Sequence, residues 1–249
     1  MTRHLLSYCI IKRPRLKFIY LATERVVKSM DDFFHLFPNL EELFALYEEV
    51  EGKITNFKRW YNIDCPSNCG SCCEVSARKI DVSVFELIPV SLKIWGEKKA
   101  HDYLSLLDSL TNDAPCVLFR PGKIPGTGRC GFYPLRPLYC RLFGFCAVVD
   151  KSGRIRPSLC RIMKMTIPWK DLNHEDILLP VAPHLSRRLL LLYPPYSQER
   201  LPINRALTKA LKLVGLRLHL LSESKHTPTI LLDKFTSFCY GDNNQAVGL

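Results

Sequence analysis

The sequence predicts a mainly α-helical protein in which helices flank one small, irregular, cysteine-rich domain. Three observations lead to this fold class. Apolar residues recur at helical spacing before residue 61 and again after residue 202. Nine of the eleven cysteines lie between Cys65 and Cys160. Within that interval, segment 122–137 is dense in Gly and Pro, which is typical of a loop.

Residues 1–29 are a predicted basic N-terminal extension, with seven Lys and Arg residues against Glu24. The acidic sequence that follows Met30 suits a helix N-terminus, so we expect translation to start at Met30. A basic arm and an organelle-targeting peptide are the alternatives. Lys12 and Arg13 stand where a signal peptide would have its small-residue cleavage site, so we predict no secretory signal.

Residues 30–60 are the predicted leading helical segment, which delivers the chain into the cysteine run. Between Leu36 and Trp60, the apolar residues recur at spacings of three and four, the period of a helix with one buried face. The residues of this face are Leu40, Leu43, Phe44, Tyr47, Val50, Ile54 and Phe57.

A second helical pattern runs from Val82 to Leu110 and is expected to be interrupted at Pro89. The C-terminal region, 166–249, is rich in Leu and Pro and is predicted to be helical. Its segment 203–221 is expected to be a packing helix, the alternative being a basic amphipathic helix for a membrane surface or a partner protein. Its apolar stripe comprises Leu207, Leu211, Val214, Leu218 and Leu221.

Length and composition point to a chain that folds without disulfides. With 249 residues, of which 47% are hydrophobic, the chain can bury a substantial core. No apolar run approaches the roughly 20 residues that span a bilayer, and we expect a cytoplasmic protein. Because thiols stay reduced in that compartment, a cysteine cluster there is more often a metal site than a set of disulfides.

The first half of the cysteine cluster is the sequence CPSNCGSCC at residues 65–73. Cys65, Cys69 and Cys72 have short spacings, as metal ligands need, and the intervening Pro and Gly let the backbone wrap. Neighbouring residues of an extended segment point to opposite sides. We therefore expect Cys72 and Cys73 not to bind one ion equally, so that one of them serves a second centre or supports the first.

The second half lies about sixty residues further along, at Cys130, Cys140 and Cys160, with Cys116 before them. Several thiolates around one metal leave net negative charge that requires nearby hydrogen-bond donors. Arg136 and Arg141 flank Cys140 and are candidates to donate to sulfur. The sequence thus predicts that residues 61–165 form a cysteine-cluster domain stapled by metal.

These motifs resemble the YkgJ-type cysteine-cluster family, whose common feature is a zinc- or iron-chelating domain. The resemblance rests on CPSNCGSCC, on Cys116 and on C-x2-Y-x2-R-P-x2-C-R from Cys130 to Arg141, and it covers roughly residues 60–165. It implies a supporting position for Tyr133 beside the two arginines. The ligands that it implies are Cys65, Cys69, Cys72, Cys73, Cys116, Cys130 and Cys140, with Cys160 as an eighth. Cys146, in an apolar run, is expected to be a small buried hydrophobe.

Other cysteine chemistries fit the sequence less well. A redox pair at Cys69 and Cys72 needs a strand before it, whereas a helix is predicted there. A cysteine nucleophile needs a His partner, and the only histidine of the cysteine segment is His101, on a predicted surface helix. The motif also resembles the cluster motif of radical S-adenosylmethionine enzymes, but the strand–helix alternation of their barrel is missing.

The sequence therefore predicts a metal-binding protein whose cluster has a redox or structural role. All-cysteine ligation suits a four-iron four-sulfur cluster and zinc, and the vicinal thiols without a histidine ligand favour the iron–sulfur cluster. One alternative is a cluster-dependent enzyme, since some members of the wider family resemble flagellin lysine-N-methylases. Another is a basic nucleic-acid-binding zinc protein, although residues outside 1–29 carry only +5 of the net charge of +11. A protein partner is a further expectation.

Overall fold

The computed structural model describes residues 37–66, 68–73, 77–111, 113–166 and 179–223. The described chain is mainly helical, with three small two-stranded antiparallel sheets, which agrees with the mainly α part of the predicted class. The predictions for residues 1–29 and for Met30 lie outside the described residues.

The described elements alternate between helices and short strands. The helices are α1 Leu40–Tyr61, α2 Ile88–Gly96, α3 Ala100–Ser109, α4 Leu138–Leu142, α5 Arg161–Thr166, α6 Ala182–Leu192, α7 Pro194–Ser197 and α8 Ile203–Glu223. The strands are β1 Asp81–Ser83, β2 Phe119–Pro121, β3 Gly128–Cys130, β4 Cys146–Val149, β5 Ile155–Ser158 and β6 Arg200–Pro202. Single 3-10 turns lie at Ala77–Lys79, Phe85–Leu87 and Tyr133–Leu135.

Helix α1 confirms the leading helix that the apolar spacing predicts. Acidic residues occupy its first turn and basic residues its last turn, the arrangement that the helix dipole favours. Asn62 ends the helix with a φ of 50°, in the left-handed region that Asn tolerates. Its buried face comprises Leu40, Leu43, Leu46, Tyr47, Val50, Ile54 and Phe57, whereas Phe44 is only partly buried.

The helical pattern predicted over residues 82–110 is present, but its start and its interruption differ from the prediction. The segment begins inside strand β1, and α2 and α3 follow as separate helices. Pro89 lies in the first turn of α2, so it begins a helix where the sequence suggested an interruption. Proline is favoured there because the first N–H groups of a helix have no intrahelical acceptor.

The composition of segment 122–137 predicts a loop, but the structure shows that only part of the segment is loop. Strands β2 and β3 form a hairpin that includes residues 128–130 of this segment. Gly128 enables the strand to form, because its φ of 143° would strain a residue with a side chain. A 3-10 turn at Tyr133–Leu135 follows.

Helix α8 confirms the C-terminal packing helix, and it packs chiefly against α2. Trp95 of α2 donates its indole N–H to the carbonyl oxygen of Leu211 at 2.9 Å. The ring fits because residue 215 is glycine: a Cβ there would lie 2.4 Å from the Trp95 ring. Strand β6, just before α8, pairs with β1, so the C-terminal region and the cysteine-rich region share one framework.

The buried apolar side chains form two clusters. The first contains the buried face of α1 with residues of α4 and α6, including Phe57, Leu138 and Leu189. The second contains residues of α2, α3 and α8 together with Leu118 and Phe132 of the cysteine-rich region. Burial of each large apolar side chain contributes about 1.5–3 kcal/mol, so these clusters supply the main stabilisation of the described chain.

A fully buried carboxylate, Glu86, connects several elements. Its Oε2 accepts hydrogen bonds from the backbone N–H and the hydroxyl of Ser83, both at 2.8 Å. Its Oε1 accepts from the backbone N–H of Leu138, the first residue of α4, at 2.9 Å. Arg200 of β6 lies 3.9 Å from the carboxylate and compensates its charge. Glu86 thereby joins the β1–β6 sheet to the start of α4.

Among the described residues, none of the helices has the length and hydropathy needed to cross a bilayer.

We predict that Glu86→Gln lowers the free energy of unfolding by about 1–3 kcal/mol. The amide keeps only one acceptor oxygen, which leaves a buried donor of Ser83 or Leu138 unpaired. Urea unfolding followed by circular dichroism measures this change. Glu48→Gln, at an exposed position of α1, is the matched control and should change stability by less than about 0.5 kcal/mol. Equal stabilities for the two variants would contradict the role given to Glu86.

Candidate metal centre

Five of the eight predicted ligands line one small cavity, of about 20 Å³. They come from four separate segments of the chain, and apolar residues such as Val90, Leu118, Phe132 and Ile203 complete much of the wall. A thiol-lined, largely apolar cavity of this kind is where soft metal ions or clusters bind in proteins. The five ligand candidates are Cys72, Cys73, Cys116, Cys130 and Cys140.

The vicinal pair does not point to opposite sides, contrary to the sequence-based expectation. The sulfurs of Cys72 and Cys73 lie 3.8 Å apart, and both line the cavity. The expectation assumed an extended backbone, whereas residues 71–73 form a turn closed by a hydrogen bond from Cys73 N–H to Gly70 O at 2.8 Å. In a turn, neighbouring side chains are able to face the same side.

The first cysteine loop is joined to the β2–β3 hairpin through backbone groups. Gly70 donates its N–H to Gly126 O, and Gly128 donates to Asn68 O, at 3.1 and 2.9 Å. A Cβ at Gly70 would lie 3.0 Å from the Gly128 nitrogen, and one at Gly128 would lie 2.5 Å from the Arg120 carbonyl oxygen. This close approach needs glycine at both positions, and it brings the two halves of the cysteine cluster together.

Cys116 is held in place by the first turn of α8. The side-chain oxygen of Asn204 accepts a hydrogen bond from Val117 N–H at 3.0 Å, and its amide donates to Pro115 O at 3.0 Å. Asn204 therefore bonds the backbone on both sides of this buried cysteine. The sequence gives no local signal for this contact, because 87 residues separate Asn204 from Val117.

Cys130 and Cys140 are positioned by regular structure. Cys130 ends strand β3 and pairs with Phe119 of β2. Cys140 is the third residue of α4, whose first N–H is held by Glu86. The chain between them passes through the 3-10 turn at Tyr133–Leu135, and Leu135 lines the cavity.

The other three predicted ligands lie outside this cavity. Cys65 and Cys69 line a neighbouring open cleft that also touches Cys72 and Cys130. Cys160 lies beside Gly144, where a Cβ on the glycine would be 3.4 Å from the Cys160 sulfur. Cys65 lies within electrostatic reach of both Cys69 and Cys160.

Cys146 is only partly buried, and it lies apart from the five-thiol cavity. It belongs to strand β4, and its thiol donates to the carbonyl oxygen of Ser158 across the β4–β5 hairpin at 3.7 Å. It is thus a structural thiol, less enclosed than its apolar sequence context predicts.

Arg136 lines the cavity but donates to oxygen atoms. Its guanidinium donates to the carbonyl oxygens of Tyr133 and Cys140 at 3.2 and 3.3 Å and lies 3.6 Å from Glu51. It stacks over the ring of Tyr133 at 3.5 Å, which leaves Tyr133 half exposed beside the cavity. Its charge helps to lower the pKa of Cys72 and opposes the rise that burial causes in the pKa of Cys130 and Cys140, so it can still compensate thiolate charge.

Arg141 is buried and fastens the backbone around Cys140. It donates to the carbonyl oxygens of Arg136 and Pro134 and to Glu51 at 2.8 Å. Its guanidinium also lies 4.1 Å from the centre of the Tyr47 ring. Within the described ranges, the hydrogen bonds of both arginines reach oxygen acceptors and not sulfur, in contrast to the bonds that the sequence suggested.

The thiols of the cavity differ in acidity. Burial raises the pKa of Cys116 to about 12, and burial together with the neighbouring thiols raises the pKa of Cys130 and Cys140. A hydrogen bond between the vicinal thiols lowers the pKa of Cys72 to about 6, helped by the charge of Arg136, and raises that of Cys73. A metal that binds the thiols with a raised pKa must displace their protons, because thiolates are the ligands.

An orphaned hydroxyl lies close to this site. The Tyr47 oxygen is fully buried and has no hydrogen-bond partner among the described residues. Burial raises the pKa of Tyr47, and the charges of Glu86, Arg141 and Cys140 reach it. A buried hydroxyl without an acceptor costs free energy, so this donor is available to an anionic group that arrives near Cys140.

Sequence reasoning missed Glu86, Tyr47 and Glu51 as residues that support the site. One signal was present: Ser83 and Glu86 have the S-x-x-E spacing of a capping box, and Glu86 N–H donates back to the Ser83 hydroxyl at 3.4 Å. Tyr47 and Glu51 are linked to the site through their tertiary contacts with Arg141, which the sequence does not indicate.

The side chains of the cavity have the right chemistry to bind a metal. Their positions, however, do not surround a single ion. In the chemistry of its side chains, the cavity offers five thiols, a guanidinium for charge compensation and an apolar wall. As these side chains stand, no three His, Cys, Asp or Glu residues of the described ranges are arranged to hold one metal ion. The thiols would have to adjust as a metal binds, or hold a group larger than one ion.

Comparison with known proteins identifies one domain. Residues 64–177 match the model of the CxxCxxCC family, which is described as a "putative zinc- or iron-chelating domain". This match confirms the resemblance to a cysteine-cluster family, and its span includes all eight predicted ligands. Neither the curated proteins nor the solved structures contain a match to this chain.

We predict that Tyr47→Phe raises the free energy of unfolding of metal-free protein by about 1 kcal/mol. Removal of an unpaired buried hydroxyl ends its desolvation cost, and phenylalanine keeps the ring under Arg141. Denaturant unfolding of chelator-treated protein measures the effect. Tyr103→Phe is the matched comparison: it should lose about 0.5–1.5 kcal/mol because that hydroxyl accepts from Arg120 at 2.8 Å. A clear loss of stability in Tyr47→Phe would show that its hydroxyl is paired.

Proposed function

Since residues 64–177 match the model of the CxxCxxCC family, we propose that this protein binds an iron–sulfur cluster through the thiolates of the five-thiol cavity. The observation that carries the proposal is the convergence of Cys72, Cys73, Cys116, Cys130 and Cys140 on one cavity. Five thiols from four separate segments in one cavity form the kind of soft donor set that zinc and iron–sulfur clusters bind.

The spread of the thiols supports a cluster over a single ion. Each thiolate of a four-iron cluster binds a different iron, so the sulfurs of the protein stand further apart than around one ion. The described residues contain five thiols at the cavity but no three that surround one point. Four of the five would be ligands, and the fifth would support them.

One observation favours zinc instead. A tetrahedral ion with Zn–S bonds of about 2.3 Å has its ligand sulfurs about 3.8 Å apart. Cys72 and Cys73 have this separation, 3.8 Å, and the cavity of about 20 Å³ is small. A single zinc ion held by the vicinal pair and two of the other three thiols is therefore the alternative.

The residues around the cavity support a redox or structural role. When bound, an iron–sulfur cluster would supply one-electron transfer, whereas zinc would supply folding energy. Arg136 would offset thiolate charge. The nine described cysteines are free thiols, which is consistent with a reducing compartment, and we propose the cytoplasm.

We predict that the protein purified without oxygen contains iron and acid-labile sulfide in similar molar amounts. Cys140→Ser should lose most of this iron and sulfide, because it removes a thiolate from the cavity. Elemental analysis and a labile-sulfide assay measure both quantities. Cys146→Ser is the matched control and should retain the metal content, since Cys146 bonds Ser158 outside the cavity.

Three results would change this proposal. Zinc in equimolar amount without sulfide would select the single-ion alternative. A folded, metal-free wild-type protein would contradict metal binding altogether. Equal metal loss in Cys140→Ser and Cys146→Ser would contradict the assignment of the site to the five-thiol cavity.

A further inference from the structure

Two arginines stand opposite each other on the β2–β3 hairpin. The strand register pairs Arg120 with Arg129. Directly paired residues of an antiparallel hairpin lie on the same face with their Cβ atoms about 4.5–5.5 Å apart, and like charges in this position repel. A protein that holds two guanidinium groups in this arrangement needs a source of negative charge to offset the repulsion.

Both arginines line an open cleft of about 730 Å³ beside the five-thiol cavity. The two spaces adjoin and share Cys72, Cys130, Arg136 and Phe143 in their walls. The next register pair, Phe119 and Cys130, lines the thiol cavity, and side chains alternate between the faces of a strand. The arginine pair thus presents its charge to the cleft.

The other charges of the cleft are already paired. Lys58 contacts Asp64 at 2.7 Å, and Arg141 contacts Glu51 at 2.8 Å, with Arg136 3.6 Å from the same carboxylate. With Arg120 and Arg129 included, five cations face two carboxylates, a net charge of +3. Two of these three surplus charges lie on the hairpin, and the third comes from Arg136 and Arg141, which share one carboxylate.

Neither hairpin arginine has a carboxylate partner within the described part of the chain. Arg120 instead donates to the neutral hydroxyl of Tyr103 at 2.8 Å. This bond holds the guanidinium in place and leaves its charge uncompensated.

We propose that this cleft binds the phosphoryl group of a small molecule between Arg120 and Arg129. A phosphate monoester carries nearly two negative charges at neutral pH, which matches two unpaired guanidinium groups. The planar fork of arginine suits bidentate hydrogen bonds to phosphate oxygens. The volume of the cleft lies in the range of small-molecule sites.

The cleft suits a small phosphorylated molecule better than a nucleic acid. Glu51 and Asp64 line the same cleft and would repel the phosphates of a continuous nucleic-acid backbone. A single phosphoryl group at the hairpin leaves the rest of the cleft for an uncharged or cationic part of the ligand.

Isothermal titration calorimetry of the full chain with inorganic phosphate tests the proposal. We expect saturable binding that weakens at least tenfold in Arg120→Gln and in Arg129→Gln. Acetate, a monoanion, should bind at least tenfold more weakly than phosphate to the unaltered protein. Arg187→Gln, at an exposed position of α6, removes the same charge elsewhere and should bind phosphate as the unaltered protein does.

Thermal unfolding provides a second readout that a purely structural arginine would not give. Without phosphate, Arg129→Gln should melt at the same temperature as the unaltered protein or higher, because it removes a like-charge pair. With saturating phosphate, the unaltered protein should gain thermal stability and Arg129→Gln should not. Iron, zinc and sulfide contents should be equal in the two proteins, which separates this site from the metal centre.

Several outcomes would overturn the proposal. Phosphate binding without saturation, or binding to both hairpin variants as tight as to the unaltered protein, would remove the site. A lower melting temperature of Arg129→Gln without phosphate would show that Arg129 is stabilised by the protein itself. A single-stranded oligonucleotide that binds at the hairpin while inorganic phosphate does not would replace the small molecule with a nucleic acid.

Discussion

The buried carboxylate of Glu86 is the interaction on which the rest of the described structure depends. It accepts hydrogen bonds from Ser83 and Leu138 and lies beside Arg200, so three elements distant in sequence meet at one side chain. A carboxylate without exposure to solvent is costly unless its oxygens are bonded and its charge is offset, and here both conditions are met. Since α4 carries Cys140, the same bonds set the position of one thiol of the cavity relative to the helical framework.

The cysteine-rich region takes its geometry from backbone hydrogen bonds more than from its own core. Its buried apolar residues are divided between the two clusters: Leu118 and Phe132 pack with α2, α3 and α8, whereas Leu142 and Phe145 pack with α1 and α6. Asn204 fixes the segment of Cys116, the Asn68 and Gly70 backbone groups fix the hairpin, and Arg141 fixes the segment of Cys140. Thiol–metal bonds between these segments would add to the stability of the region.

The sequence predicts the parts of this structure that depend on local periodicity or on motif spacing. Helices α1 and α8 follow from apolar residues at helical intervals, and the ligand candidates follow from the spacing of CPSNCGSCC and of the residues around Cys130 and Cys140. The sequence does not predict the β2–β3 hairpin, because its Gly and Pro content is typical of a loop. The hairpin is held by backbone bonds to residues 68–70, which are distant in sequence. The orientation of the vicinal thiols depends on one turn bond, and the contact of Glu86 with Leu138 spans 52 residues. Such long-range contacts leave no periodic trace in a single sequence.

The close approach of Gly70 and Gly128 has a consequence for how the metal would be acquired. The two thiol-bearing segments are joined by hydrogen bonds between backbone atoms alone. These bonds restrict the relative positions of the two segments, which lowers the conformational entropy that metal binding itself has to overcome. A chelator linked in this way would bind more tightly than a flexible peptide with the same cysteines, with only the thiol side chains left to adjust.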